Sequence, residues 1–225
     1  MESLAVLVPV LNRPQNVAPL VESFFSSGTP GTLHLVGDAV TDRATFDVTP
    51  RHERVVWEQT RDKVSWPEKI NLGIRRVRNA DWYLFAADDV TFEPSWWDAT
   101  QQLRDDPTIG VIGTNDSRDG TGNPRVAAGQ HTVHPLVRGT YARDPNLDGG
   151  PFCVETVRHW YSDDLIVAVA QQRGAWAFCK EAVIEHHHPY WYPNIIPLDA
   201  TYQLGESTAE QDRRNAQEWA TKWLQ

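Results

Sequence analysis

Residues 81–90, DWYLFAADDV, join an apolar strand to two adjacent carboxylates. The run from Tyr83 to Ala86 has the continuous apolar character of a strand that is buried on both faces of a sheet. Asp88 and Asp89 follow at once, and a buried pair of like charges is costly unless a cation compensates it. This stretch therefore predicts a central strand whose end carries either a solvated acid pair or a cation site.

Strand and helix patterns alternate on both sides of this stretch. Apolar runs predict strands at 4–10, 32–38, 53–59, 81–90 and 108–116, and apolar residues at helical spacing predict helices at 16–27, 66–80 and 93–106. Such alternation is typical of an α/β domain with a mostly parallel sheet and helices on both faces.

The second half of the chain is less regular. Residues 117–156 are dense in Gly, Pro, Asn and Asp, which predicts long loops or short antiparallel strands. The pattern then predicts a helix at 162–174, one or two strands at 176–188, and an amphipathic helix at 207–224 with Ser207 as its cap. At 225 residues, the whole chain, 1–225, is expected to form a single domain.

Composition excludes several classes of protein. The formal charge is −9, from 21 basic and 30 acidic residues, which disfavours a protein whose main role is binding duplex phosphate. Two cysteines without CxxC spacing predict neither a disulfide framework nor a zinc–cysteine site, and favour a cytoplasmic location. The start, MESLAVLVPVLNRP, lacks the basic residues and long apolar core of a signal peptide, and no apolar run reaches membrane-spanning length.

Polar residues follow the predicted parallel strands at the edge where ligands bind to open α/β sheets. They are Asn12 and Arg13 after the first strand, Asp38 and Asp42 after the second, and Asp88 and Asp89 after the strand that begins at Asp81. We expect this edge to gather an arginine and several carboxylates.

A histidine-rich stretch, AVIEHHHPYWYP, supplies a second set of candidates. Strand alternation places His186 and His188 on one face. Combined with the carboxylate pair, these imidazoles predict a mixed oxygen and nitrogen site for Mn²⁺ or Mg²⁺, and zinc is disfavoured without cysteine or a third histidine.

Ser162, Asp163 and Asp164 begin a predicted helix. Ser and Asp in this position satisfy unpaired amides and suit the helix dipole, so capping alone explains them. The alternative is that one of the two aspartates is a general base directed into the site.

The segments LAVLVPVLNRP, LVGDAVTD, EKINLGI, YLFAADDV and YSDD, in this order, resemble family 2 glycosyltransferases of the GT-A fold. The closing IEHHHPYWYPNIIPLDATY is similar to short members encoded by bacteriophages and bacteria. The resemblance runs from Leu4 to about Tyr202 and is weak over 117–156. It implies a Rossmann-like, mostly parallel sheet with helices on both faces and a small antiparallel portion on the acceptor side.

The resemblance also implies an activity, which is transfer of a sugar from a nucleotide-diphosphate sugar to an acceptor hydroxyl, with inversion and a divalent cation. Residues 1–115 would bind the nucleotide sugar, 116–205 would form the acceptor and metal half, and 206–225 the C-terminal helix. The donor would be UDP- or GDP-linked, and the acceptor a protein, a glycan or a modified nucleobase, in the host cytoplasm if the gene belongs to a phage. No membrane partner is implied.

Site residues carried over by position fall into three groups. The nucleotide-sugar group is Pro9, Asn12, Arg13, Asp38, Lys69, Asn71 and Asp88. Asp89 would bind the metal together with His186 or His188, and Asp164 would be the general base with Asp163 beside it. The chain departs from the family at Ala87, where relatives often carry the first of three acids, and at Gly37, where many carry another aspartate.

Two other functions fit parts of the pattern. A metal-dependent nucleotidyltransferase shares the α/β sheet and the acids, but its glycine-rich loop is missing from VPVLNRPQN. A non-catalytic relative that binds a sugar or a protein is compatible with the loss of an acid at Ala87, although Asp89, Asp164 and the histidines are all retained.

Overall fold

The computed structural model describes residues 2–62, 64–196 and 198–224 of the chain. The strands are β1 (Leu4–Pro9), β2 (Thr32–Gly37), β3 (Val55–Gln59), β4 (Trp82–Phe85), β5 (Val90–Phe92), β6 (Val111–Asn115), β7 (Leu136–Arg138) and β8 (Trp176–His186). The helices are α1 (Pro14–Ser26), α2 (Arg43–Val48), α3 (Trp66–Arg76), α4 (Trp96–Ala99), α5 (Gln101–Asp105), α6 (Pro124–Ala127), α7 (Gly139–Arg143), α8 (Ser162–Gln172) and α9 (Ala200–Trp223).

The strands form one sheet in the order β3-β2-β1-β4-β7-β6-β8-β5. Strands β3, β2, β1 and β4 are mutually parallel. Strand β7 is antiparallel to both β4 and β6, β8 is parallel to β6, and β5 is antiparallel to β8. The prediction of an α/β domain with a mostly parallel sheet and a small antiparallel portion is therefore confirmed.

Alternate residues of the central strands are buried on opposite faces of the sheet. Val6 and Leu84 pack on one face, which α1 covers with residues such as Phe24. Leu7 and Phe85 pack on the other face, which α3 and α8 cover. Because both faces are covered, these strands need apolar residues at every position, and this explains the uninterrupted apolar runs in the sequence.

The predicted strand at 81–90 divides at the acid pair. Strand β4 ends at Phe85 in the middle of the sheet, and β5 begins at Val90 at the far edge beside β8. The Ala86 amide still donates to the Leu7 carbonyl (3.0 Å), whereas the Asp89 carbonyl accepts from His187 (2.9 Å). The acid pair thus lies where the chain leaves the parallel strands, at their carboxyl edge.

Several boundaries differ from the sequence-based expectation. The predicted helix at 93–106 is two short helices, α4 and α5. The C-terminal helix begins at Ala200, before Ser207, because the Asp199 side chain accepts the amides of Thr201 and Tyr202. Residues 117–156 contain a short antiparallel strand, β7, as expected, but also two short helices, α6 and α7. In the described part of the chain, no helix has the length and apolar character needed to cross a bilayer.

Candidate active site

A cavity of about 720 Å³ opens at the carboxyl edge of β1 and β4. Eight of the residues proposed from the sequence line it, namely Pro9, Arg13, Lys69, Asp88, Asp89, Asp163, His186 and His188. The sheet brings them together because β1 and β4 are adjacent, α3 and α8 begin beside their carboxyl ends, and β8 ends there. Most of the site residues predicted from the sequence therefore lie around one cavity.

Arg13 compensates the charge of the acid pair in this structure. Its Nη1 atom lies 2.7 Å from Oδ1 of Asp88 and 3.1 Å from Oδ2 of Asp89, and its Nε atom lies 2.9 Å from Asp199 at the start of α9. Arg13, Asp88 and Asp89 are each less than 10 % exposed. The buried carboxylates are thus paired with a guanidinium from the end of β1, as buried charges require.

The two carboxyl groups titrate differently. Burial raises the pKa of Asp88 to about 7, against the opposing effect of Arg13. Burial acts on Asp89 in the same direction, but the nearby His186 ring, the charge of Arg13 and the hydrogen bond from Tyr202 outweigh it and hold the pKa of Asp89 below its usual range. Asp89 is therefore the more acidic member of the pair, and Asp88 is the one that binds a proton more readily.

The two oxygens of Asp89 have different surroundings. Oδ2 accepts from Arg13 and from the hydroxyl of Tyr202, whose pKa is raised by burial and by Asp89, so that the phenol keeps its proton. Oδ1 has no hydrogen-bond donor in the described part of the chain and lies 3.3 Å from Nε2 of His186. Two ligands of an octahedral Mg²⁺-like ion, at about 2.1 Å from the metal, lie about 3 Å apart. Asp89 Oδ1 and His186 Nε2 therefore fit one divalent cation.

His188 lies beyond the end of β8, where the chain turns and the His188 amide donates to the His186 carbonyl (2.8 Å). Its ring is 5.1 Å from that of His186, and its Nδ1 accepts the Tyr190 amide at 3.2 Å. Burial and the neighbouring His186 lower the pKa of His188 to about 3, so its imidazole is neutral. The alternation that put His186 and His188 on one strand face does not extend to His188, yet both rings line the cavity.

The two aspartates at the start of α8 have separate partners. Asp163 lines the cavity, and its Oδ2 lies 3.1 Å from Nε2 of His131. Burial raises the pKa of Asp163, but the hydrogen bond and charge of His131 outweigh this and lower it; in turn Asp163 raises the pKa of His131 despite its burial. Asp164 is not part of the cavity wall and is paired with Arg125 at 2.5 Å. Asp163 is thus the aspartate of this pair that faces the cavity.

Among the described residues, His131, Asp163 and Asp164 also form a group of potential metal ligands, with one atom from each within 4.8 Å of the others. His131 and Arg125 already occupy the two carboxylates. The carboxylates of this group are therefore already paired with protein side chains, whereas Oδ1 of Asp89 has no hydrogen-bond donor in the described part of the chain.

Three residues proposed for the nucleotide sugar do not line the cavity. Asn12 is exposed with a φ of 47°, and Asp38 accepts the amides of Val40 and Thr41. Asn71 joins α3 to the loop before α8 by exchanging hydrogen bonds with the backbone of Cys153 at 2.9 Å. In these surroundings Asp38 and Asn71 hold neighbouring loops in place and do not line the cavity.

Lys69 is 4 % exposed and lies deep in the cavity wall. Its amine donates to the carbonyl of Val10 and lies 3.6 Å from Asp42. Asp42, which the sequence placed after the second strand, is itself 1 % exposed. A positive charge is therefore fixed beside the end of β1.

Three residues of the site, His131, His134 and Tyr202, were not among those predicted from the sequence. His134 is 2 % exposed, has no hydrogen-bond partner for either ring nitrogen in the described part of the chain, and lies with its ring 4.8 Å from that of His186. His131 and Tyr202 contact Asp163 and Asp89. The spacing of HTVH at 131–134 is a signal that could have drawn attention to two of them.

No family model and no curated protein matches the sequence. Solved structures of S. aureus TarS do match in three dimensions. TarS 1-349 in complex with UDP has a TM-score of 0.62 and 13 % identity, and TarS 1-349 alone has 0.63 and 14 %; each match covers 85 % of this chain and 62 % of the other. A third TarS structure has a TM-score of 0.61 and 12 % identity, over 85 % of this chain and 38 % of the other.

The chain thus spans less than two thirds of the length of the TarS structures that it matches. At 12–14 % identity, these similarities establish the fold. The activity has to be inferred from the chemistry of the site. Together with the strand order and the carboxyl-edge cavity, the similarities show that the chain has a GT-A-like fold.

Proposed function

We propose that this protein is a glycosyltransferase that moves a sugar from a nucleotide-diphosphate sugar to an acceptor hydroxyl. The observation that carries the proposal is the arrangement of Asp88, Asp89 and Asp163 around one cavity at the carboxyl edge of the sheet. An acid pair on one wall and a separate, ionised carboxylate on another are what donor binding and proton abstraction require. The GT-A-like fold supports this choice of reaction over other uses of paired acids.

The donor is expected to bind with its diphosphate near Arg13 and Lys69. Both side chains are cationic, line the cavity and lie beside the end of β1. The guanidinium of Arg13 already lies between the two acids, so its charge is available to nearby phosphate oxygens while it keeps its contact with Asp89. We favour a uridine nucleotide, because the TarS structure with this fold was obtained in complex with UDP.

A divalent cation, Mn²⁺ or Mg²⁺, is part of the proposal. Oδ1 of Asp89 and Nε2 of His186 would hold it, with the neutral ring of His188 next to them. When bound, such an ion stabilises the negative charge that develops on a departing diphosphate. The chain contributes the orientation of Asp89, which Arg13 and Tyr202 fix through the other oxygen.

A carboxylate at the start of α8 acts as the general base. It takes the proton of the acceptor hydroxyl as the hydroxyl oxygen attacks the anomeric carbon from the face opposite the diphosphate, which inverts the configuration there. Asp163 is the better placed candidate, because it faces the cavity and its lowered pKa keeps it ionised. Asp164, the choice from the sequence, remains a prediction that a paired substitution can test.

The proposal is tested with a panel of UDP- and GDP-sugars in the presence of Mn²⁺, Mg²⁺ or EDTA. Nucleotide release and thermal shift are measured for the wild type and for Asp89→Ala. We expect one class of donor to stabilise the protein and to be slowly hydrolysed only with a divalent cation. The proposal is wrong if no donor binds and Asp89→Ala leaves every signal unchanged.

A further inference from the structure

We propose that the cavity wall around Trp160 is a binding site for a closed-ring saccharide, which serves as the acceptor. This inference rests on the proposed function and adds the chemical class of the second substrate. Trp160 lines the same cavity as Asp163, which follows it by three positions at the start of α8. An acceptor held on Trp160 therefore lies next to the candidate base.

Aromatic rings extend from Trp160 to the acid pair, and we call Trp160, His188, Tyr190 and Tyr202 the aromatic wall. The Trp160 and Tyr190 rings are 6.2 Å apart with an interplanar angle of 15°. His188 is 6.5 Å from Trp160 and 4.6 Å from Tyr202, whose hydroxyl donates to Asp89. The aromatic wall thus runs from the exposed Tyr190, which does not line the cavity, through Trp160 and His188 to Tyr202 beside the acid pair.

The backbone that carries Trp160 is held by a buried carboxylate. Asp212, in α9 and 0 % exposed, accepts the amides of Arg158 (2.9 Å), His159 (2.9 Å) and Trp160 (3.1 Å). Gly205 of α9 allows the close approach, because a Cβ atom there would lie 3.3 Å from Nε1 of Trp160. Three hydrogen bonds to one carboxylate fix this loop before any ligand arrives, which reduces the entropy lost on binding.

The polar groups beside the wall match the hydroxyls of a sugar. Glu155, Arg158, Asp163 and Thr208 line the same cavity and offer both donors and acceptors. Nε1 of Trp160 is buried and has no acceptor in the described part of the chain, although a buried indole N–H normally has one. A flat apolar face with a few polar groups at its edge is the general design of a small-molecule site.

Electrostatics favour a saccharide over a nucleic acid. Glu155 and Asp163 line the cavity beside Trp160, where Arg158 balances one of the two charges, and the whole chain has a formal charge of −9. A phosphodiester backbone is repelled by such a surface, since phosphate contacts provide most of the affinity for nucleic acids. Uncharged hydroxyls instead donate to carboxylates without this penalty.

The test follows the indole N–H signals of ¹⁵N-labelled full-length protein by NMR, with UDP and Mn²⁺ present. Trp160→Phe assigns the Trp160 signal, and Trp57→Phe assigns a control from β3, whose indole bonds Gln59 outside the cavity. Methyl glycosides of glucose, galactose and N-acetylglucosamine are titrated, followed by a Ser/Thr peptide and a dT oligonucleotide. We expect at least one glycoside to shift the Trp160 signal and leave that of Trp57 in place.

The outcomes separate this inference from the proposed function. If UDP binds but no glycoside moves the Trp160 signal, or if the peptide or the oligonucleotide moves it instead, the acceptor assignment is overturned while the donor site stands. If UDP itself fails to bind, the proposed function fails first. In a transfer assay with the responding glycoside, Trp160→Ala should raise the KM for the glycoside about tenfold and that for the donor far less, since one ring contact is lost.

Discussion

Nε2 of His186 lies 3.3 Å from Oδ1 of Asp89, on the side of the carboxylate that Arg13 and Tyr202 do not bind. We predict that this pair holds the divalent cation. His186→Ala and Asp89→Asn should therefore each weaken UDP binding in the presence of Mn²⁺ by about tenfold or more, as expected for loss of one ligand, and should leave metal-free binding nearly unchanged. Isothermal titration calorimetry with Mn²⁺ or EDTA measures both.

His187 provides a matched control for this prediction. His187 follows His186 in the chain but does not line the cavity. Its Nε2 forms a hydrogen bond with the hydroxyl of Thr91 at 2.8 Å. His187→Ala should keep the Mn²⁺-dependent part of UDP binding. Equal losses in His186→Ala and His187→Ala would show that the histidines act through the fold of this segment, and the metal assignment would be abandoned.

The second prediction separates the two aspartates at the start of α8. Asp163→Asn preserves shape and removes the charge of the group that faces the cavity, so transfer should fall by a factor of about 10²–10⁴, the usual contribution of a general base. Asp164→Asn removes the pairing with Arg125 on the outer side and should cost less than about tenfold. Donor binding is measured in parallel and should survive in both variants. A larger loss of transfer in Asp164→Asn would restore the assignment that the sequence favoured.

Local patterns in the sequence were enough to place the parallel strands and the acid pair. Residues 81–90 predict a strand that is buried on both faces and a change from apolar to acidic residues at Asp88. Both predictions depend only on residues that are neighbours in the chain. The partner of Asp89 could not be found in this way, because Tyr202 is 113 positions away and approaches only when α9 docks on the site. The ion pair between Asp199 and Arg13 has the same long-range origin, whereas the capping of α9 by Asp199 involves only the next residues in the chain.

Asn71 and His134 show two ways in which the sequence alone misplaces a polar residue. Asn71 stands where the resemblance expects a donor contact, but its amide is used by the backbone of Cys153, a partner that no spacing rule identifies. His134 lies in a stretch dense in turn-forming residues, for which the pattern predicted long loops or short antiparallel strands, whereas tertiary packing buries the ring against His186. Burial of polar groups is decided by the whole fold, and this is why site residues are harder to predict than strands.

The third prediction concerns stability. Asp212→Ala leaves the amides of Arg158, His159 and Trp160 without their acceptor and should lower the free energy of unfolding by about 3 kcal/mol. For a domain of this size that corresponds to a fall in Tm of about 9 °C in a thermal melt. The control is Glu210→Ala, an exposed acid on the same helix, which should change stability by less than about 0.5 kcal/mol. Similar melting of the two variants would mean that Asp212 does not fix the loop.

The last prediction follows from the ion pair between His131 and Asp163. The pKa of His131 is raised above 6.5, so its contribution to stability is complete below that pH and is lost as the pH rises through the folded-state value. The pKa of Asp163 is lowered below 3.8, so its contribution is complete above that pH and is lost as the pH falls through the folded-state value. The pair therefore stabilises the fold most between about pH 4 and 6.5.

His131→Gln retains a donor for Asp163 but cannot carry the charge. Thermal melts of the wild type and of this variant should thus differ by about 3 °C near pH 5.5, and the difference should shrink as the pH rises well above 6.5. Asp164 and Arg125 lie close enough to act on His131 in opposite directions, so the same comparison is made in an Asp163→Asn background. There the pH-dependent part of the difference should vanish. If it persists, the titration of His131 is governed by Asp164 and Arg125, and Asp163 is held in place by its backbone contacts at the start of α8.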